Sequence, residues 1–176
     1  MRITGGELRG RAILPPKGFK ARPTTDFAKE GLFNTLMNIC NFEEIKVLDL
    51  FSGTGSISYE FASRGVKSII SVEMNSLYAN HIRKNADKFG IKNIQVVRHN
   101  VFDFLNICKE KYDLVFADPP YIIEGLENIP EKIFNSGILN ENAILILEHP
   151  GSYSFENQAR FLKEKKYGNV HFTFFK

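Results

Sequence analysis

An acid, two prolines and a tyrosine, Asp118-Pro119-Pro120-Tyr121, follow directly on the largely apolar run Tyr112-Asp113-Leu114-Val115-Phe116-Ala117. Two successive prolines remove two N–H donors and stiffen the loop, leaving the Asp118 carboxylate and the Pro119 carbonyl as acceptors. An exocyclic aromatic amine requires such acceptors. Hydrogen bonds from its N–H₂ group localise the nitrogen lone pair and aim it at an electrophilic methyl, and Tyr121 offers a face on which a base can stack. The plain alternative is a polar loop that closes a strand. An aspartate with its ordinary pKa near about 4 cannot take a proton from a neutral aromatic amine, so Asp118 is assigned to orientation and charge stabilisation. The proton leaves to Asp118 or to water only after the methyl has moved.

A second group of chemically capable residues lies upstream. Asp49 and Phe51 lead into Ser52-Gly53-Thr54-Gly55, where glycines allow backbone N–H groups to approach a ligand closely. Glu73 ends the next apolar run, a position from which a carboxylate can accept both hydroxyls of a ribose. The pair points to an adenosine-containing cofactor. A dinucleotide site would carry Gly or Ala where Ser58 stands, and a phosphate loop would need a Gly-Lys-Ser/Thr that is missing. S-adenosylmethionine has no phosphate, and Asp49, which would repel a pyrophosphate, suits its cationic methionine end. A tight strand-to-helix turn without a ligand is the alternative reading of the glycines alone.

These groups converge only if strands and helices alternate around them, and from residue 46 they do. Residues 46–51 read as a buried strand, 56–65 as a helix closed by Gly65, and 67–73 as a second strand. Asn75 or Ser76 can cap the next helix, where Leu77, Ala79, Ile82, Ala86 and Phe89 fall on neighbouring faces and Gly90 supplies the stop. Strands follow over 93–99, 112–117 and 143–149, with a helix over 126–136. Apolar strands without polar alternation, joined by helices, indicate an α/β fold: a doubly wound, Rossmann-like and mostly parallel sheet covered on both faces. The fourth strand then lies beside the first, and Asp118 emerges next to the glycine turn at the switch point. Glu148 and His149 end strand five on the same edge. Gly168-Asn169 marks a C-terminal antiparallel hairpin. At the other end, residues 2–14 read as a small ribbon with Gly5-Gly6 at its turn, followed by a helix entered through Thr25 or Asp26. One domain over 1–176 is expected, with a basic ribbon and helix in 1–40 and the cofactor-binding body in 41–176.

Composition bounds the function. The 176 residues are 43% hydrophobic and 24% charged, ordinary material for one core. No apolar run reaches the roughly 18 residues of a membrane span and no leader-like segment opens the chain, so a cytoplasmic protein without membrane attachment is expected. Cys40 and Cys108 stand far apart, and His81, His99, His149 and His171 show no ligand-like spacing, so no metal is expected. Each cysteine reads as a small buried hydrophobe. Phe102, Phe104, Phe172, Phe174 and Phe175 read as core or sheet-face aromatics rather than a stacking platform. Residues 1–30 carry seven cations (Arg2, Arg9, Arg11, Lys17, Lys20, Arg22, Lys29) against three acids (Glu7, Asp26, Glu30), while the whole chain is only +3. A basic arm on a near-neutral body fits a polyanion such as RNA, or else a solvated loop.

Together the segments RITGGELRGR, RPTTDFAKEGLFNTL, VLDLFSGTGSISYEFASRG, VEMN and DLVFADPPY resemble the RsmD-type 16S ribosomal RNA guanine-N2 methyltransferases. The resemblance runs from residue 2 to about 121 and more loosely to the end. It implies a class I methyltransferase fold and S-adenosylmethionine as cofactor. It further implies methylation of a guanine N2 amine of 16S rRNA, family position 966, in an assembling 30S subunit, by a monomer. Carried over by residue, Asp49, Phe51, Ser52, Gly53 and Gly55 would surround the methionine part and Glu73 would hold the ribose. Arg22, Pro23, Thr24 and Thr25 would lie over the cofactor or target, with Thr24 and Thr25 on the cofactor side and Arg22 toward RNA. Asp118, Pro119, Pro120 and Tyr121 would hold the flipped guanine, and Arg9 and Arg11 would grip phosphates. Where the family has Asp-Ala, this chain has Asn100-Val101: the Asn carbonyl can accept from the adenine amino group and the Val101 N–H can donate to the ring, with Asp103 as the other candidate.

Adenine N6, in RNA or DNA, is the nearest alternative target. A glutamine target is disfavoured because its motif begins with Asn. A non-catalytic RNA- or nucleotide-binding module would show a broken site, and an NAD-dependent oxidoreductase would show a different glycine spacing.

Overall fold

The computed structural model describes residues 1–16, 18, 19 and 24–176. Seven strands, β1 (Lys46–Leu50), β2 (Ser68–Val72), β3 (Ile94–Val97), β4 (Tyr112–Ala117), β5 (Leu139–Pro150), β6 (Phe161–Tyr167) and β7 (Val170–Phe175), form one sheet in the order β3-β2-β1-β4-β5-β7-β6. The first five pair in parallel and the last two are antiparallel, as the alternation and the Gly168-Asn169 turn required. The helices are α1 (Asp26–Met37), α2 (Ser56–Ser63), α3 (Ser76–Phe89), α4 (Val101–Ile107) and α5 (Ile129–Asn135).

The central strands β1 and β4 are largely apolar because both faces are covered, whereas β6 at the sheet edge carries Lys163, Glu164, Lys165 and Lys166. In β1, Val47 packs into one core with Leu32, Phe61 and Leu114, while Leu48 and Leu50 join the opposite core with Phe104, Val115 and Leu145. Capping follows the local signals. The Thr25 hydroxyl accepts from Ala28 N, Asn75 Oδ1 accepts from Leu77 N and Tyr78 N, and Gly90 ends α3 at φ 70°.

Several expectations change in the fold. Leu77, in the first turn of α3, is solvent-exposed, whereas Ala79 and Ile82 of the same helix are buried. Residues 101–107 form α4, a helix whose seven residues are too few to display a clear period. Strand β5 begins at Leu139, and the helix read over 126–136 splits into a 3₁₀ turn (Leu126–Asn128) and α5, with Pro130 in the first turn. Both cysteines are only partly buried. The N-terminal ribbon is a single antiparallel bridge, Arg2 to Ala12. Gly5-Gly6 serves less as its turn than as its dock: Ser63 Oγ donates to Gly5 O, Glu7 N donates to Ser63 O at 2.8 Å, and a Cβ on Gly6 would lie 1.8 Å from that carbonyl oxygen.

The basic arm is smaller than its charge count. Lys29 is fully buried and pairs with Asp26 and Glu60, and Arg2 pairs with Asp26. Arg9 and Arg11 stay exposed on the ribbon. Pairing of β5 with β7 brings His149 opposite His171, with Glu164 beside them, a proximity invisible in sequence spacing. Both His149 nitrogens are engaged, by Pro150 O and Thr173 Oγ1, and the Lys166 ammonium stands 3.5 Å from Glu164. Burial pushes the His149 ring toward its neutral form, against the Pro150 carbonyl and Glu164. No helix among the described residues is long and apolar enough to cross a membrane.

Candidate active site

Parallel pairing of β1 with β4 places Leu50 beside Ala117, and Asp118 N donates to Leu50 O at 3.3 Å. The residues after both strands therefore leave the sheet side by side, at the point where connections part to opposite sides. A cavity of about 600 Å³ opens there. Its wall contains Asp49, Phe51, Ser52, Gly53, Glu73, Asn100, Val101, Thr24, Asp118, Pro119, Pro120 and Tyr121. Gly55 and Thr25 lie off it, Arg9 and Arg11 are elsewhere on the surface, and Arg22 and Pro23 fall outside the described residues.

The glycine turn is built from strained backbone. Phe51 holds φ 60°, an outlier for a bulky aromatic, and Gly53 follows at 54°. Gly55 is glycine for space: a Cβ would lie 2.9 Å from the Tyr59 ring and 3.0 Å from Ile82. The expected offering of backbone donors to a ligand is reduced, because the turn spends them on itself. Ser52 N donates to Val72 O, Gly53 N to Glu73 Oε2 at 2.8 Å, and Gly55 N to Ser52 O at 2.7 Å. One side chain of the cavity wall has an unmet requirement. Among the described residues, Ser56 Oγ, in the first turn of α2, is the buried side-chain polar atom without a hydrogen-bond partner. At a helix N-terminus such a hydroxyl suits an anionic group.

Carboxyls dominate the electrostatics. Asp49, 1% exposed, accepts from Ser58 Oγ, which also lies 2.6 Å from Ser71 Oγ. Ser58 thus occupies the third glycine position of a dinucleotide fingerprint in order to hold an acid. Burial pushes Asp49 up to about 7. Glu73 is also raised by burial, against the hydrogen bonds it accepts from Gly53 N and from Asn75 N at 2.7 Å. Each of its oxygens keeps a second lone pair for a ribose hydroxyl. Glu148, buried at the end of β5, is pushed up to about 7 and accepts from Thr24 Oγ1 and Tyr121 OH. Asp118 is held well above the carboxylate range by burial, then by Glu148 and Asp49. Its sequence-based assignment as an ordinary aspartate is therefore revised. Glu148 and Asp49 each repel the Asp118 carboxylate, and a cation in the cavity would favour the ionised form of all three.

Asn100 departs from its expected role. Its Oδ1 accepts from Phe102 N at 2.8 Å and Asp103 N at 3.3 Å, so the N-cap of α4 uses both lone pairs that an adenine amino group would need. Asp103 is exposed and off the cavity wall. Apolar walls come from residues that the motifs did not mark: Phe19, Met74, Tyr78 and Phe102, with Phe19 edge-on to Tyr78 at 5.2 Å. Of the missed residues, Ser56 and Ser58 stood inside the glycine segment and were legible as its polar continuation. Phe19 and Tyr78 carried no local signal.

A parallel sheet in this order, with a glycine turn after β1, an acid after β2 and Asp-Pro-Pro-Tyr after β4, defines a Rossmann-like class I methyltransferase. The chain belongs to the RsmD-type family, described as conserved hypothetical protein 95, which matches residues 1–176. The ribosomal RNA small subunit methyltransferase D of Buchnera aphidicola subsp. Baizongia pistaciae is 30% identical over 99% of this chain and 91% of its own length. Its counterpart in Escherichia coli K12 is 32% identical over 84% of this chain and 74% of its own length. A solved hypothetical protein of Thermus thermophilus, 26% identical, superimposes with a TM-score of 0.88 over 100% of this chain and 99% of that one.

Proposed function

We propose that this protein transfers a methyl group from S-adenosylmethionine to the exocyclic N2 amine of a guanine in small-subunit ribosomal RNA, the family's position in an assembling subunit. The observation that carries the reading is the Asp118–Tyr121 loop, held by the β1–β4 pair against a cavity ringed by carboxyls.

The residues fit this cofactor. Glu73 has acceptors for a ribose, Ser56 Oγ is an orphaned donor for a carboxylate, and the acid cluster favours a cationic centre. When bound, S-adenosylmethionine supplies an electrophilic methyl on a positively charged sulfur. The chain does the rest. Asp118 and the Pro119 carbonyl hold the amine, Tyr121 stacks on the base, and Phe19 and Tyr78 exclude water from the cofactor side. After transfer the amine is acidic, and the Asp118 carboxylate is placed to take its proton. Arg9 and Arg11 contact phosphates.

Two results follow directly. Glu73→Ala removes the acceptors for Gly53 N, Asn75 N and the ribose together, and adenosylhomocysteine affinity in calorimetry is expected to fall about 100-fold, on the scale of two lost hydrogen bonds to a charged group. The second concerns pH. Asp49 and Glu148, near 7 in the free protein, retain protons that a bound sulfonium expels. Affinity for S-adenosylmethionine therefore rises from about pH 6 to about pH 8, more steeply than for adenosylhomocysteine, whose sulfur is neutral. In the free protein the sign reverses: raised carboxyls hold protons that the unfolded chain has lost, so stability falls as pH rises through about 7. Equal pH slopes for the two ligands would remove the acid cluster from cofactor recognition.

The decisive test is tritium transfer from labelled S-adenosylmethionine to undermethylated small-subunit particles, followed by nucleoside analysis. N2-methylguanosine is the expected product. N6-methyladenosine would keep the chemistry and change the target, and no label despite cofactor binding would favour a binding module.

A further inference from the structure

Two segments far apart in the chain meet on one carboxyl. Glu148 continues the row Ile144, Ile146 along β5, on the sheet face that α1 covers, so its side chain emerges beneath the entrance to α1. It is 2% exposed. Oε2 accepts from Thr24 Oγ1 at 2.8 Å, and Oε1 accepts from Tyr121 OH at 3.5 Å. Thr24 and Tyr121 both line the cavity, and so does Phe19, five residues before Thr24, which packs on Tyr78 and lies 3.8 Å from where a Cβ on Gly53 would stand. Phe19 therefore belongs to the side of the cavity that holds the glycine turn, Tyr121 belongs to the side that holds Asp118, and Thr24 lines the cavity just before the entrance to α1. A buried carboxyl is a costly way to fill space at the end of a core strand, where a leucine would serve. Its two oxygens are matched by two hydroxyls, one from the entrance to α1 and one from the loop after β4.

We propose that Thr24 stands on the cofactor side and that Glu148 is a positioning residue that fastens it and the base-side loop at Tyr121 to the end of β5, coupling the two halves of the site. The proposal rests on the assignment of the cavity given under the proposed function. Through this carboxyl, order imposed by one ligand on its own side is transmitted to the other side.

The test is a double-variant cycle with two readouts. One is adenosylhomocysteine binding by calorimetry, which needs no RNA; the other is single-turnover methyl transfer to undermethylated small-subunit particles. Thr24→Val is expected to weaken adenosylhomocysteine about tenfold, and Tyr121→Phe to slow transfer with little change in that affinity. Glu148→Ala is expected to do both, and Thr24→Val combined with Glu148→Ala binds no worse than Glu148→Ala alone. Glu148→Gln preserves volume and keeps one carbonyl acceptor, so it restores affinity without restoring the transfer rate, a split that a purely structural role does not produce. This variant also decides the matter if the alanine variant fails to fold. The proposal is overturned if both Glu148 variants stay within about twofold of the parent in both readouts, or if the effects multiply independently. Parent protein that binds adenosylhomocysteine but labels no particle would refute the RNA reading, while the binding arm of the cycle still decides the role of Glu148.

Discussion

Asp118→Ala is expected to lower single-turnover methyl transfer by about 10³-fold while leaving adenosylhomocysteine bound, the scale of losing one preorganised charge-stabilising group. The geometry makes Asp118 difficult to replace. Its backbone N is tied to Leu50 O, the two prolines that follow remove nearby donors, and the carboxyl lies beside Glu148 and Asp49. A neutral Asp118→Asn keeps an acceptor for the amine and is expected to retain part of the rate, about tenfold or more above the alanine variant. The same change relieves the repulsion of Asp118 by Glu148 and Asp49. Free Asp118→Asn protein should therefore melt higher than the parent at pH 8, while the difference shrinks at pH 5, where the acids are protonated in either form. Higher stability joined to lower activity would separate catalysis from folding. A variant that loses activity because it is less stable at both pH values would argue that Asp118 is structural.

Lys29→Met should cost about 3 kcal/mol of unfolding free energy, measured by urea denaturation. Both Lys29 and Glu60 have fully buried side chains, with Lys29 Nζ 3.1 Å from Glu60 Oε1 and 3.3 Å from Asp26 Oδ1, and it also donates to Arg2 O. Glu60 further accepts from Thr4 N at 2.7 Å and pairs with Arg64. Removing the ammonium leaves Arg64 as the remaining cation against a carboxylate that has left water, which keeps the loss at the lower end of the range for a broken buried pair. The ribbon that carries Arg9 and Arg11 is tied down by the same network. Lys29 itself touches no RNA in this arrangement. The salt dependence of particle binding should be unchanged in Lys29→Met, whereas Arg9→Ala and Arg11→Ala each reduce the slope by about one. A changed slope without a stability loss would return Lys29 to the basic surface.

Strand and helix order was legible because it is local. Apolar runs closed by Gly65, Gly90, Asp118-Pro119 and Gly168 leave few choices, and parallel pairing of β1 with β4 follows from alternation and handedness. The helix α4 was not legible, since seven residues cannot display a period, and Asn100 resembled a ligand acceptor because the same carbonyl chemistry serves an N-cap.

Residues near one another in the chain were enough to specify the α/β class, the two strand ends that form the site, and the acids and prolines that suit an amine and a ribose. Which charges remain charges was settled only by the packed fold. It buried Lys29 against Glu60, turned Gly6 into a docking surface for Ser63, and gathered Asp49, Asp118 and Glu148 where burial raises all three and the other two acids add repulsion at Asp118. Desolvation and Coulomb energy depend on distance in space, and the 30 residues from Asp118 to Glu148 say nothing of that until β4 and β5 lie side by side.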